Sequence, residues 1–142
     1  NYWVLIFSYP ENSHTEDYRQ EVLNLVNAQR AKYGLTALEM GDDALTAAAQ
    51  TRAEEISVVN SHVRPDGSKC FTVLKDYGIT DTPTGENAAW GSVSPEEVVN
   101  AWMNSEGHRA NILNPEARKM SVGYYYNSSS TWGHQWIQLF TK

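Results

Sequence analysis

The most informative stretch of the chain reads Trp102-Met103-Asn104-Ser105-Glu106-Gly107-His108-Arg109-Ala110-Asn111-Ile112-Leu113. Its Ser105-Glu106-Gly107 segment is expected to end the helix that carries Trp102, which leaves His108 and Arg109 on the following turn. A histidine at a helix end either presents its imidazole to a cleft or hydrogen bonds the last carbonyl groups of that helix. The residues alone leave both interpretations open for His108.

A second histidine precedes a turn signal. His62 is followed by Val63-Arg64-Pro65-Asp66-Gly67, in which Pro65 favours an extended residue before it and Asp66-Gly67 favours a turn. A histidine placed just ahead of such a turn either points into a cleft or is an ordinary exposed loop residue. Both interpretations again stay open.

Glu86 lies between Gly85 and Asn87, ahead of the apolar residues Ala88, Ala89 and Trp90. A carboxylate at the start of an apolar strand is costly unless it is paired or hydrogen bonded, so we expect a cationic or donor partner for Glu86. It is either a ligand or acid–base group or a structural glutamate, and the two roles are compatible. Two imidazoles and one carboxylate are enough for a metal site or an acid–base site.

Hydrophobic periodicity, capping signals and turn residues predict helices first and a β-hairpin last. Helices are predicted over residues 13–33, 42–56, 71–77 and 94–104, and strands over residues 86–90, 122–126 and 132–140. Helices segregated from a late antiparallel hairpin indicate an α+β fold. Alternation in the last strand puts Trp132, His134, Trp136, Gln138 and Phe140 on one face, which either packs against a helix or forms the floor of an amphipathic ligand site.

Residues 1–12 form an N-terminal apolar arm or linker ahead of a domain of residues 13–142. The arm contains Tyr2-Trp3-Val4-Leu5-Ile6-Phe7, an uncharged run of high β-propensity that we expect to be buried, either against a sheet edge or in a neighbouring molecule. The second arrangement would give self-association through residues 2–7. The run lacks the basic region and cleavage site of a signal peptide and is too short to span a membrane.

The composition predicts one globular domain of 142 residues, with 41% hydrophobic and 20% charged residues. A net charge of -6 argues against unassisted binding to nucleic acid or anionic membrane, because both need a positive field. The single cysteine, Cys70, excludes an internal disulfide. No nucleophile stands in a diagnostic setting and no His-Glu-x-x-His helix is present, so enzymatic activity is not indicated.

In this order the three segments resemble the CAP superfamily of SCP-like extracellular domains, which includes cysteine-rich secretory proteins, antigen 5 and plant pathogenesis-related 1 proteins. The resemblance runs from about residue 18 to residue 140 and is closest to the short bacterial branch. It implies a three-layer α-β-α sandwich with a central antiparallel sheet. It also implies a secreted, extracellular or cell-wall-associated domain that binds a lipid, a cell-wall component or a peptide.

The resemblance places His62, Glu86 and His108 in the family's cleft. Glu106 and His134 are further candidates, because the second glutamate and second histidine of eukaryotic members fall near them, although Ser105 and Gln135 occupy the aligned positions. His62 and His108 would be the ligands of Zn²⁺ or another divalent cation, and no cofactor is required. The alternative function is a metal-dependent, peptidase-like hydrolase that uses His62, Glu86 and His108.

Overall fold

The computed structural model describes residues 2–142, with side chains from residue 17 onward. The elements, in chain order, are α1 (Tyr2–Lys32), β1 (Glu39–Met40), α2 (Asp43–Ile56), α3 (Thr72–Asp76), β2 (Pro83–Trp90), α4 (Pro95–Met103), α5 (Glu106–Ile112), β3 (Lys119–Tyr126) and β4 (His134–Thr141). Among the described residues, no helix is both long enough and apolar enough to cross a membrane.

The four strands form one sheet in the order β1-β3-β4-β2. Strand β4 is antiparallel to both β2 and β3, and its pairing with β3 is the predicted hairpin. Strand β1 was not predicted and pairs parallel to β3 through only two residue pairs, so the sheet is mixed rather than wholly antiparallel. Two residues are too few to leave an alternating pattern in the sequence. Strand β2 forms one edge of the sheet.

Residues on the two faces of β4 pack into two different apolar layers. Trp136 and Phe140 pack toward α1 and α4, whereas Ile137 and Leu139 pack toward α2 and α3. The helical residues of the first layer are Val22, Leu23, Val26, Val98, Val99, Trp102 and Ile112, and those of the second are Leu45, Ala48, Ala49, Ala53, Ile56, Val73 and Leu74. The predicted three-layer α-β-α sandwich is confirmed.

Helix α2 lies unusually close to β3. A Cβ atom added at Gly123 would lie 2.7 Å from the Cα atom of Gln50, and closer still to the carbonyl group of Ala49. The Gln50 side chain then donates to the carbonyl of Tyr124 (2.7 Å) and accepts from its amide (3.1 Å). The small buried residues of α2, Ala48, Ala49 and Ala53, allow this close approach.

The N-terminal segment differs from its prediction. Helix α1 begins at Tyr2, so residues 2–7 are helical rather than strand-like, and neither a break at Pro10 nor a helix start at Ser13 is observed. Extending an existing helix adds hydrogen bonds without a new nucleus, so local β-propensity is overridden. The expected burial of residues 2–7 lies outside the described side chains. The division into an arm of residues 1–12 and a domain of residues 13–142 stays a prediction.

Candidate functional site

Glu86 lies on the edge strand β2, on the face that packs toward α2, with only 1% of its side chain exposed. Its Oε2 atom accepts from Nε of Arg52 (2.8 Å), and its Oε1 atom accepts from Nη2 of Arg52 (3.1 Å). Oε1 also contacts Nδ1 of His62 at 2.7 Å. The predicted cationic and donor partners of Glu86 are therefore confirmed.

Arg52 is the residue that the sequence reasoning missed. It lies on α2, is fully buried, and reaches Glu55 (Nη1 to Oε1, 2.8 Å) and the carbonyl of Ser61 (3.0 Å) in addition to Glu86. A signal was available, because position 52 falls on the same helical stripe as Leu45, Ala48, Ala49 and Ile56. An arginine on a buried apolar stripe needs an acid beside it.

A chain of ion pairs fixes the loop that carries His62. Arg64 donates from Nη2 to Glu55 (2.7 Å) and from Nη1 to Asp76 (2.8 Å), which joins the loop to both α2 and α3. The loop also closes on itself through an amide–carbonyl bond from Arg64 to Ser68 (2.8 Å), with Gly67 at a positive φ of 89°. His62 consequently projects from an anchored turn while 55% of its side chain stays exposed.

The site shifts the pKa of Glu86 and the pKa of His62 in opposite directions. Burial alone would raise the pKa of Glu86, but hydrogen bonds from His62 and Arg52 outweigh it and hold that pKa below its ordinary value. The hydrogen bond to Glu86 raises the pKa of His62, against an opposing effect of desolvation. The site thus favours an imidazolium–carboxylate pair in which the imidazolium faces solvent.

The His62–Glu86 pair should make stability depend on pH. The raised pKa of His62 means that its contribution is complete below the ordinary value of 6.5 and is lost as the pH rises through the folded value. The lowered pKa of Glu86 means that its contribution is present above 4.5 and is lost as the pH falls through the folded value. The pair therefore stabilises the fold most between these two ordinary values.

In urea unfolding, His62→Gln should cost more free energy at about pH 5.5 than at about pH 8.5. The difference should stay under about 1 kcal/mol, because solvent screens the half-exposed imidazole. Equal costs at both pH values would contradict the assigned pair.

Cys70 completes the cluster around Glu86. One ligand atom from each of His62, Cys70 and Glu86 lies within 4.8 Å of the others, and the cysteine is buried and not in a disulfide. Burial, followed by the charge of Glu86, raises the pKa of Cys70 to about 11, so its sulfur is a neutral thiol near neutral pH. A neutral buried thiol is a poor nucleophile.

His108 lies on α5, a helix that was not predicted. Helix α4 ends at Met103, close to its predicted end, but Ser105 is then the N-cap of α5, and Gly107 lacks the positive φ of a C-terminal glycine. The carbonyl of His108 accepts from the side chain of Asn87 (3.1 Å), which anchors α5 to β2. Burial, followed by the charge of His62, lowers the pKa of His108. Arg109 donates to the carbonyl of Met103 at the end of α4 (3.2 Å).

Of the two further candidates, His134 lies apart from the His62–Glu86 pair. Glu106 is exposed in the first turn of α5, where the helix dipole favours a carboxylate. His134 begins β4, five residues before the Leu139 that pairs with Glu86. Five strand residues span about 16 Å. His134 instead bonds the hydroxyl of Tyr124 (2.6 Å) and packs in an aromatic cluster with Tyr126.

The face of β4 predicted to be aromatic packs mainly against helices. Trp136 is fully buried and stacks on Tyr18 of α1, with ring centroids 5.3 Å apart, and Gln138 accepts from Asn87 inside the sheet layer. Trp132 lies outside β4 and is 57% exposed. These contacts favour the packing interpretation over a ligand-site floor.

Comparison with known proteins agrees with this architecture. Residues 23–140 match the CAP family, described as the cysteine-rich secretory protein family. The chain belongs to the CAP family. One match is the crystal structure of an extracellular protein containing an SCP domain from Bacillus anthracis str. Ames. The match covers 90% of this chain and 41% of that protein's chain, with a TM-score of 0.78 and 25% identity. The match to an outer surface protein of Borrelia burgdorferi covers 84% of this chain and 88% of that protein's chain, with a TM-score of 0.69 and 26% identity.

Curated relatives extend the comparison of this CAP domain. It is 42% identical to YkwD of Bacillus subtilis (strain 168) over 127 residues, which are 88% of this chain and 49% of YkwD. It is 32% identical to the membrane protein YlbC of the same organism over 106 residues, or 73% of this chain and 30% of YlbC. The CAP domain thus spans half or less of the curated relatives it matches. The relatives named here are bacterial, as the resemblance implied.

Proposed function

We propose that this CAP domain is an extracellular or cell-wall-associated binding module that recognises its ligand at the cleft of His62, Glu86 and His108. The observation that carries the proposal is the half-exposed imidazole of His62. It lies 2.7 Å from the buried carboxylate of Glu86, which also accepts two hydrogen bonds from Arg52. A side chain fixed in this way is a preorganised donor that loses little entropy on binding. Two structural relatives, an extracellular SCP-domain protein and an outer surface protein, support the proposed location.

The chemistry of the cleft favours a peptide or a cell-wall stem peptide over a long lipid. His62 offers a hydrogen-bond donor that is cationic at mildly acidic pH, on a chain whose net charge is -6. Its neighbours Val59 and Val63 are 36% and 47% exposed, which adds only a small apolar surface. A ligand that pairs a carboxylate or carbonyl with small alkyl groups would match both features.

Zn²⁺ held by His62 and His108 remains a secondary proposal. The residues fit, because Nδ1 of His62 bonds a carboxylate in the way that ligating histidines are usually oriented, and its other nitrogen remains free. Such an ion would supply a Lewis acid at the cleft. The comparisons lend no support to the hydrolase alternative.

Binding of a soluble peptidoglycan stem peptide, measured by calorimetry with a chelator present, tests the main proposal. His62→Gln should weaken binding about tenfold, as expected for losing one charge-assisted hydrogen bond. The matched control is His134→Gln, which removes a histidine about 16 Å away along β4 and should not change the affinity. No binding to the wild-type domain, or equal losses in both variants, would reject the proposed site.

A further inference from the structure

We propose that Cys70, His62 and Glu86 form a binding site for a thiophilic divalent cation, for which Zn²⁺ is the best match. The three ligand atoms lie within 4.8 Å of one another and come from the anchored loop, the turn two residues before α3, and the edge strand β2. This set differs from the two-histidine arrangement, because it uses a sulfur ligand and leaves out His108. It does not depend on the function proposed above.

The donor set suits zinc better than harder cations. Thiolate and imidazole are the ligands that select Zn²⁺, and a carboxylate completes a common mixed set, whereas Mg²⁺ and Ca²⁺ prefer oxygen alone. Bond lengths of about 2.0–2.3 Å place tetrahedral ligands roughly 3.3–3.8 Å apart. Closing the cluster from 4.8 Å therefore requires a movement of about 1 Å.

The distance to be closed is the one to the sulfur of Cys70, because Nδ1 already lies 2.7 Å from Oε1 of Glu86, and the ligand with the most room to move is His62. Its side chain is 55% exposed, whereas the side chain of Glu86 is 1% exposed and Cys70 is buried. The ion would replace the hydrogen bond between Nδ1 of His62 and Oε1 of Glu86. The bond from Arg52 Nε to Oε2 of Glu86 can stay in place at 2.8 Å, so the carboxylate keeps its orientation.

The charges also balance. Binding converts the Cys70 thiol to a thiolate, and the proton passes to solvent. The thiolate and the Glu86 carboxylate then offset the two positive charges of the ion. Arg52 faces the same carboxylate and disfavours a cation by itself, but Glu55 lies 2.8 Å from Arg52 and neutralises part of its charge. At the outer end of the ion-pair chain, Asp76 neutralises part of the charge of Arg64.

The test uses the whole chain, with Zn²⁺ measured by calorimetry and Co²⁺ by absorption. We expect a thiolate-to-cobalt charge-transfer band in the wild type and its loss in Cys70→Ser. Zn²⁺ affinity should fall at least tenfold in Cys70→Ser and in His62→Gln, and by less in His108→Gln. Since sulfur is part of no two-histidine site, the charge-transfer band separates the two arrangements.

Two results would overturn the site. One is a Cys70→Ser variant with unchanged Zn²⁺ affinity, and the other is a wild type that shows no thiolate band when saturated with Co²⁺. If Cys70→Ser does not fold, the wild type still tests the site, because Zn²⁺ should slow modification of Cys70 by a thiol reagent. An unaltered modification rate would reject sulfur ligation. Stem-peptide binding in chelator is measured separately, so failure of this site leaves the proposed function intact.

Discussion

Replacing Arg52 by Met should lower the free energy of unfolding by about 3–5 kcal/mol at neutral pH. Arg52 supplies two of the hydrogen bonds to Glu86, and both side chains are essentially inaccessible to solvent. Met has a similar length and fills the apolar stripe of α2, so the cost arises from a buried carboxylate that loses its arginine and keeps its bond to His62, rather than from a cavity. Urea unfolding followed by circular dichroism measures the change.

A double variant separates the charge effect from packing. In Arg52→Met combined with Glu86→Leu no carboxylate stays buried, and the free energy of unfolding should recover most of the loss. The single variant should also lose less stability at low pH, because protonation of Glu86 removes the unpaired charge. A loss below about 1 kcal/mol in Arg52→Met would show that water reaches Glu86 and that the pair is not structural.

The sequence pointed to His62 and Glu86 because their signals are local. Pro65 with Asp66-Gly67 marks a turn next to one, and a carboxylate ahead of an apolar strand marks the other. The partner of Glu86 lies 34 residues earlier, on a helix that the sequence predicted correctly. Pairing across that distance depends on how α2 packs on the sheet, and no local sequence pattern predicts which residues will pair.

The errors in the predicted elements have a similar origin. Ser105 and Gly107 fit either the end of one helix or the start of the next, and the backbone angles of these two residues distinguish the two arrangements. Strand β1 has two residues and exists because β3 offers it an edge. The three layers were predicted from the family resemblance and not from local patterns, because β4 is buried on both faces and its burial does not alternate.

The close contact between α2 and β3 gives the second large effect. Gly123→Ala should destabilise the fold by about 3 kcal/mol, at the upper end of the range for overpacking. The added Cβ would meet main-chain atoms of Ala49 and Gln50, with Gln50 Cα at 2.7 Å, and main-chain atoms cannot rotate away as a side chain can. Helix α2 would have to move off the sheet, and Arg52 and the site would move with it.

Two companion variants make this prediction specific. Gly107→Ala adds the same methyl group where no atom lies within 4 Å, and inside α5 it should be neutral or up to about 1 kcal/mol stabilising. Ala49→Gly should not rescue Gly123→Ala, because the obstacle is the carbonyl group of residue 49 and not its methyl group. Thermal unfolding of the single and double variants measures all three effects. A Gly123→Ala protein as stable as the wild type would mean that α2 does not pack on β3 this closely, and the burial of Arg52 against Glu86 would then lose its structural basis.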